Sequence, residues 1–74
     1  MTPAQALLRR GPRMLAANGD VGSPCVSVCR MGADGLCEGC LRRLEEIAGW
    51  SRMDDAARRA VWRLVLDRAS EAVA

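Results

Sequence analysis

The placement of four cysteines restricts this chain more than any other feature. All of them lie between Cys25 and Cys40, with the spacing C-x3-C-x7-C-x2-C. Two close pairs joined by a short linker can bring four sulfurs to one point. Tetrahedral sulfur coordination is what Zn²⁺ and iron–sulfur centres use. The stretch is therefore expected to be a metal site, with Cys25, Cys29, Cys37 and Cys40 as ligands.

Size sharpens that expectation. The chain has 74 residues, and its apolar content is mostly Ala, Val and Leu, with Trp50 and Trp62 as the two aromatics. A single domain this small is marginal when apolar burial is its main support. Disulfides within the close pairs would shut very short loops, each contributing about 2 kcal/mol or less. A four-thiolate Zn²⁺ site supplies roughly 10–16 kcal/mol of apparent binding energy, which in a small domain is folding energy. Metal is the stronger candidate.

Compartment points the same way. The only apolar run near the amino end is Ala6-Leu7-Leu8, short of a secretory signal. No segment approaches the ~18 apolar residues that span a bilayer. A cytoplasmic location is expected, where thiols stay reduced and favour metal over disulfide. Net charge is +2, with 11 basic residues, all arginine, against 9 acidic ones and no histidine. No imidazole is available as a general base or nitrogen ligand.

In order, residues 1–22 read as a flexible tail. Thr2 as N-cap and Pro3 as first helical residue start a short helix through Arg10, which Gly11-Pro12 ends. Such a helix is too short to hold without a partner. Its Leu7, Leu8, Arg9, Arg10 and Arg13 also suit a membrane surface, but a mobile tail is the simpler reading. Met14 offers an alternative start to Met1.

Residues 23–50 form the four-cysteine loop and a first helix. Pro24 biases Ser23 to extended backbone and presents Cys25 on a stiff lead-in. Val26 and Val28 are expected to cover the sulfurs. Gly32-Ala33-Asp34-Gly35 signals a tight reversal that folds the second pair onto the first. Gly39 lets the backbone approach the metal, with amides free to bond the Cys37 sulfur.

Cys40 is expected to open a helix to about Ala48, placing its thiolate at the positive end of the helix dipole. Leu41, Leu44, Ile47 and Ala48 share its inner face. Arg42, Arg43, Glu45 and Glu46 share the outer one, with Arg42 and Glu46 as an i, i+4 pair. Gly49 stops it, and Trp50 packs over it to seal one side of the site.

Residues 51–74 form a second helix in the same domain, capped by Asp54 and running from Asp55 to about Glu71. Ala57, Ala60, Val61, Leu64 and Val65 make one apolar stripe; Trp62, Leu66, Ala69 and Val73 make another. The combined arc exceeds what the first helix and loop can cover. Either the second stripe touches the N-terminal tail, or it is a surface for a protein partner or self-association. The expected fold is a small, metal-stabilised, mainly α domain: a cysteine-rich knuckle followed by two helices.

Taken together, Ser23-Pro24-Cys25, Val28-Cys29, Gly35-Leu36-Cys37-Glu38-Gly39-Cys40, Arg42, Glu46-Ile47 and Trp50 resemble a family of small bacterial four-cysteine proteins. It is domain of unknown function 1289, whose members are commonly described as predicted iron–sulfur proteins. The resemblance runs from about Ser23 to Arg68. It implies four cysteine ligands and no established reaction.

The spacing leans toward zinc, because both pairs fit the C-x2–4-C clasp of structural sites and match no common ferredoxin pattern. The family description leans toward a cluster, and both stay open. A closed zinc site has no position for catalysis, so no enzyme is expected. The first functional class is an accessory or interaction module. The second is an iron–sulfur protein for electron transfer or oxidant sensing. Nucleic-acid binding is weaker, since acidic residues interleave with the arginines and few aromatics can stack. A thiol–disulfide enzyme built on Cys37 and Cys40 is weaker still, lacking a βαβ context.

Overall fold

Thr2-Pro3-Ala4-Gln5 opens the first helix as a capping box. The Gln5 N–H donates to Thr2 Oγ1 (3.2 Å), and the Thr2 N–H donates to Gln5 Oε1 (2.9 Å). In the computed structural model, which describes residues 2–16, 21–24 and 30–73, this helix, α1, spans Pro3–Ala16. It continues past Gly11-Pro12, correcting the expected stop at Arg10. A proline inside a helix costs about 3 kcal/mol, so tertiary packing must outweigh it.

That packing is against α3, Asp55–Val73. Ala4 and Leu7 of α1 are buried in one core with Val21 and with Val61, Trp62, Val65 and Ala69 of α3. Gly11 marks the closest approach. A Cβ built there would fall within the Leu66 side chain, so any other residue would force Leu66 to move. Arg59 of α3 then donates from Nη1 to the Leu15 carbonyl (2.8 Å), satisfying an end carbonyl of α1. Residues 3–16, read from sequence as a tail, are thus half of a two-helix pair.

The cap of α3 agrees with the sequence, since the Ala57 N–H donates to Asp54 Oδ1 (2.8 Å). Its buried face mixes the two expected stripes. Val61 and Val65 from the first and Trp62 and Ala69 from the second face inward, while Ala60, Leu64 and Val73 are exposed. Of the two readings of the Trp62 stripe, contact with the N-terminal segment holds at Trp62, Leu66 and Ala69, and a partner surface is corrected at Trp62 and Ala69. Both are fully buried in the core shared with α1, and Leu66 lies under Gly11.

Between these helices lie the knuckle, a short α2 at Leu44–Ala48 and a 3-10 turn at Trp50–Arg52. With α1 packed into the fold, the described residues contain three α-helices where the expected domain had two. Helix α2 starts four residues later than expected and buries none of its residues. Leu44, expected inside, is 62% exposed. No helix among the described residues is long and apolar enough to cross a membrane.

Candidate metal centre

The second cysteine pair sits in a reversal built as its sequence suggests. Gly35 adopts φ +81°, the Gly35 N–H donates to the Gly32 carbonyl (3.1 Å), and Asp34 Oδ1 accepts from the Leu36 N–H (3.1 Å). Across the turn, the Gly32 N–H donates to the Leu36 carbonyl (2.8 Å) and the Glu38 N–H to the Arg30 carbonyl (2.7 Å). Met31 and Cys37 form an antiparallel bridge. Arg30 directly follows Cys29 in the chain, so the pairing runs the strand leaving the first pair alongside Cys37.

Cys37-Glu38-Gly39-Cys40 then closes a tight knuckle. The Leu41 N–H reaches back to the Cys37 carbonyl (2.8 Å), and Leu41 itself takes φ +58°. A left-handed leucine is strained. Here it turns the chain so that the Cys37 N–H meets the Arg42 carbonyl (2.8 Å) and Leu36 bridges Arg43. This turn is why Cys40 does not open a helix. The helix-dipole argument for its thiolate fails, and helix α2 begins only after Arg43, whose N–H donates to Glu46 Oε1 (2.7 Å).

Both sulfurs are buried, Cys37 and Cys40 each 1% exposed. Burial pushes the Cys37 thiol up, but hydrogen bonds from the backbone of Cys40, Gly39 and Arg30, with one from the Cys40 side chain, outweigh it. The net effect holds Cys37 below the ordinary thiol value. Amides aimed at a sulfur are the usual surroundings of a metal-bound thiolate.

Cys40 has a different neighbour. Arg42 Nε donates to its sulfur (3.3 Å), and the Arg42 side chain is buried, with the residue 3% exposed. The expected Arg42–Glu46 surface pair is therefore corrected. Because Arg42 precedes the helix, its guanidinium turns inward and lies 5.0 Å from the Trp50 ring centroid. Trp50, half-buried, also carries the Arg58 guanidinium at 5.5 Å, and Arg58 Nε donates to the Trp50 carbonyl (3.1 Å). A guanidinium kept from water calls for negative charge nearby.

Glu46 is instead clamped by Arg68 of α3, through Nη1 to Oε1 (2.7 Å) and Nη2 to Oε2 (3.2 Å). Arg68 Nη1 also donates to the carbonyl of the left-handed Leu41 (2.8 Å). One side chain thereby ties the knuckle and α2 to α3. The sequence reading missed Arg68 altogether, because an arginine on an amphipathic helix carries no mark of a distant partner.

Among the described residues, no three His, Cys, Asp or Glu side chains gather to hold a metal ion. Cys25, Cys29, Val26 and Val28 lie outside the described residues. Two of the four expected ligands are thus brought together. A family model described as "Protein of unknown function (DUF1289)" matches residues 23–69, from the lead-in of the first cysteine to the end of the buried face of α3. The chain belongs to this family. The match takes in all four cysteines, Arg42, Glu46, Trp50 and Arg68, and leaves α1 outside. No curated protein and no solved structure matches the chain.

Proposed function

We propose that the protein is a small cysteine-ligated metal-binding module, with Cys25, Cys29, Cys37 and Cys40 as ligands and an accessory or interaction role. The observation that supports it best is the closed knuckle, in which the Cys37 and Cys40 sulfurs are both buried and the Cys37 thiol is held below its ordinary value. Arg42 adds fixed positive charge beside Cys40. Four thiolates around Zn²⁺ carry net negative charge, and the buried guanidinium offsets it.

The donor set fits zinc and an iron–sulfur cluster alike. Bound zinc would supply folding energy and no open coordination position, which argues for a structural rather than a catalytic role. A cluster would supply one-electron chemistry at a potential set partly by these same hydrogen bonds. The cytoplasm, where thiols stay reduced, is the compartment that suits either. Partner contacts along α3 would fall to its outward apolar residues, Leu64 and Val73, each 46% exposed.

Metal analysis with an absorption spectrum, on protein purified without air, tests the reading. One zinc per chain and no visible absorption supports the structural module. Iron with sulfide and a visible band supports the redox protein. Protein that holds neither overturns the metal reading.

A further inference from the structure

The segment entering the first cysteine pair is gripped from two sides, by Trp62 inside the family-matched stretch and by Arg10 outside it. The Ser23 carbonyl accepts from Arg10 Nη2 (3.3 Å), and the Gly22 carbonyl accepts from Trp62 Nε1 (2.7 Å). Arg10 also lies over the Trp62 ring, 5.7 Å from its centroid. Val21 and Pro24 are buried on either side of these two carbonyls. Pro24 is the residue before Cys25, so the chain is held up to the peptide bond that delivers the first ligand.

We propose that α1 is a positioning element for the metal centre, with Arg10 and Trp62 fixing the Gly22 and Ser23 carbonyls so that α1 docking and metal retention are linked. This rests on the metal reading above. Helix α1 does two things at once: it covers Trp62 and Ala69 of α3, and through Arg10 it holds the lead-in. Linkage is reciprocal. If docked α1 strengthens metal binding, bound metal strengthens α1 docking by the same factor.

The test uses the full chain loaded with Zn²⁺ and challenged with excess EDTA, with metal release followed by a dye. Arg10→Ala removes one charge-assisted hydrogen bond and is expected to speed release about 3-fold to 10-fold. Trp62→Phe keeps an aromatic side chain but loses the indole donor and leaves a small cavity, and is expected to act in the same direction. Arg10→Lys restores a donor and is expected to recover part of the loss. Asp54→Ala removes only the cap of α3 and lowers stability without touching the lead-in; release at the wild-type rate is expected there.

Limited proteolysis supplies the reciprocal reading. Stripping Zn²⁺ is expected to speed cleavage after Arg9 and Arg13, and Arg10→Ala to weaken that response. Release from Arg10→Ala at the wild-type rate, or equal acceleration by Asp54→Ala, overturns the proposal and leaves the metal reading intact. A wild-type chain that holds neither Zn²⁺ nor an iron–sulfur cluster overturns both.

Discussion

The helical pair and the knuckle are held by different physics. Between α1 and α3 the support is apolar: Leu7, Val61, Trp62, Val65 and Ala69 are removed from water around a glycine that lets the backbones close. In the knuckle it is polar: the Cys37 and Leu41 N–H groups on backbone carbonyls, Arg42 on Cys40, and Arg68 bridging Leu41 and Glu46. Apolar burial is non-directional and tolerates small shifts. Hydrogen bonds to buried sulfur and carboxylate depend on geometry and lose much when one partner leaves. The two regions should therefore fail in different ways.

The largest separation is expected on removing the proposed metal. Cys37→Ser, or chelation of the wild type, takes away roughly 10–16 kcal/mol of apparent binding energy if the site is zinc. Amide protection across residues 30–43 should vanish, while the helical signal of α1 and α3 falls without disappearing. NMR hydrogen exchange with far-UV circular dichroism checks this. Loss of both regions together would show one cooperative unit and break the contrast.

Trp62→Asp attacks the other region. A carboxylate in place of a fully buried indole should cost about 4 kcal/mol or more, read by urea denaturation, with loss of α1 docking. Gly11→Val is the gentler probe of the same contact. It drives a branched side chain into Leu66, and overpacking of this kind costs about 1–3 kcal/mol. Sedimentation of Trp62→Asp, compared with wild type, shows whether this face has any role beyond seating α1.

Periodicity, caps and turns made part of this legible from the residues. Asp54 capping α3, Thr2 capping α1 and the positive φ of Gly35 follow from local chemistry that acts the same in any context. Gly11-Pro12 misled because, locally, it does end helices. Only the Leu66 contact, 55 positions away in the chain, explains its place in one. Leu41 misled for a related reason. Nothing in a leucine announces φ > 0, and once the chain turns there, the helix expected from Cys40 cannot form and Arg42 swings inward. At the site, the turn at Gly35 was readable, whereas the arginines were not. A guanidinium finds its partner through tertiary structure, and the sequence pattern of Arg42 or Arg68 is that of a solvated face.

The smallest effect separates the regions by pH. Burial raises the Glu46 carboxyl, but the bond from Arg68, the backbone N–H of Arg43 and the charges of both arginines outweigh it and leave it below the ordinary carboxylate value. A depressed folded-state value means that the contribution is fully present above the unfolded value, about 4.3. It is lost as pH falls through the lower, folded one. Because both side chains of the pair are mostly buried, at 13% and 17% exposed, Glu46→Gln should cost about 1.5 kcal/mol at pH 7. That gap to wild type should narrow steadily below pH 4. Asp55 is also depressed, mainly by its bond from Arg59, but it is present in both proteins and cancels in the difference. Urea midpoints of the two proteins between pH 7 and pH 3 measure the gap. A gap near zero at every pH would mean that Arg68 holds the knuckle through the Leu41 carbonyl alone, and that the charge on Glu46 adds nothing to it.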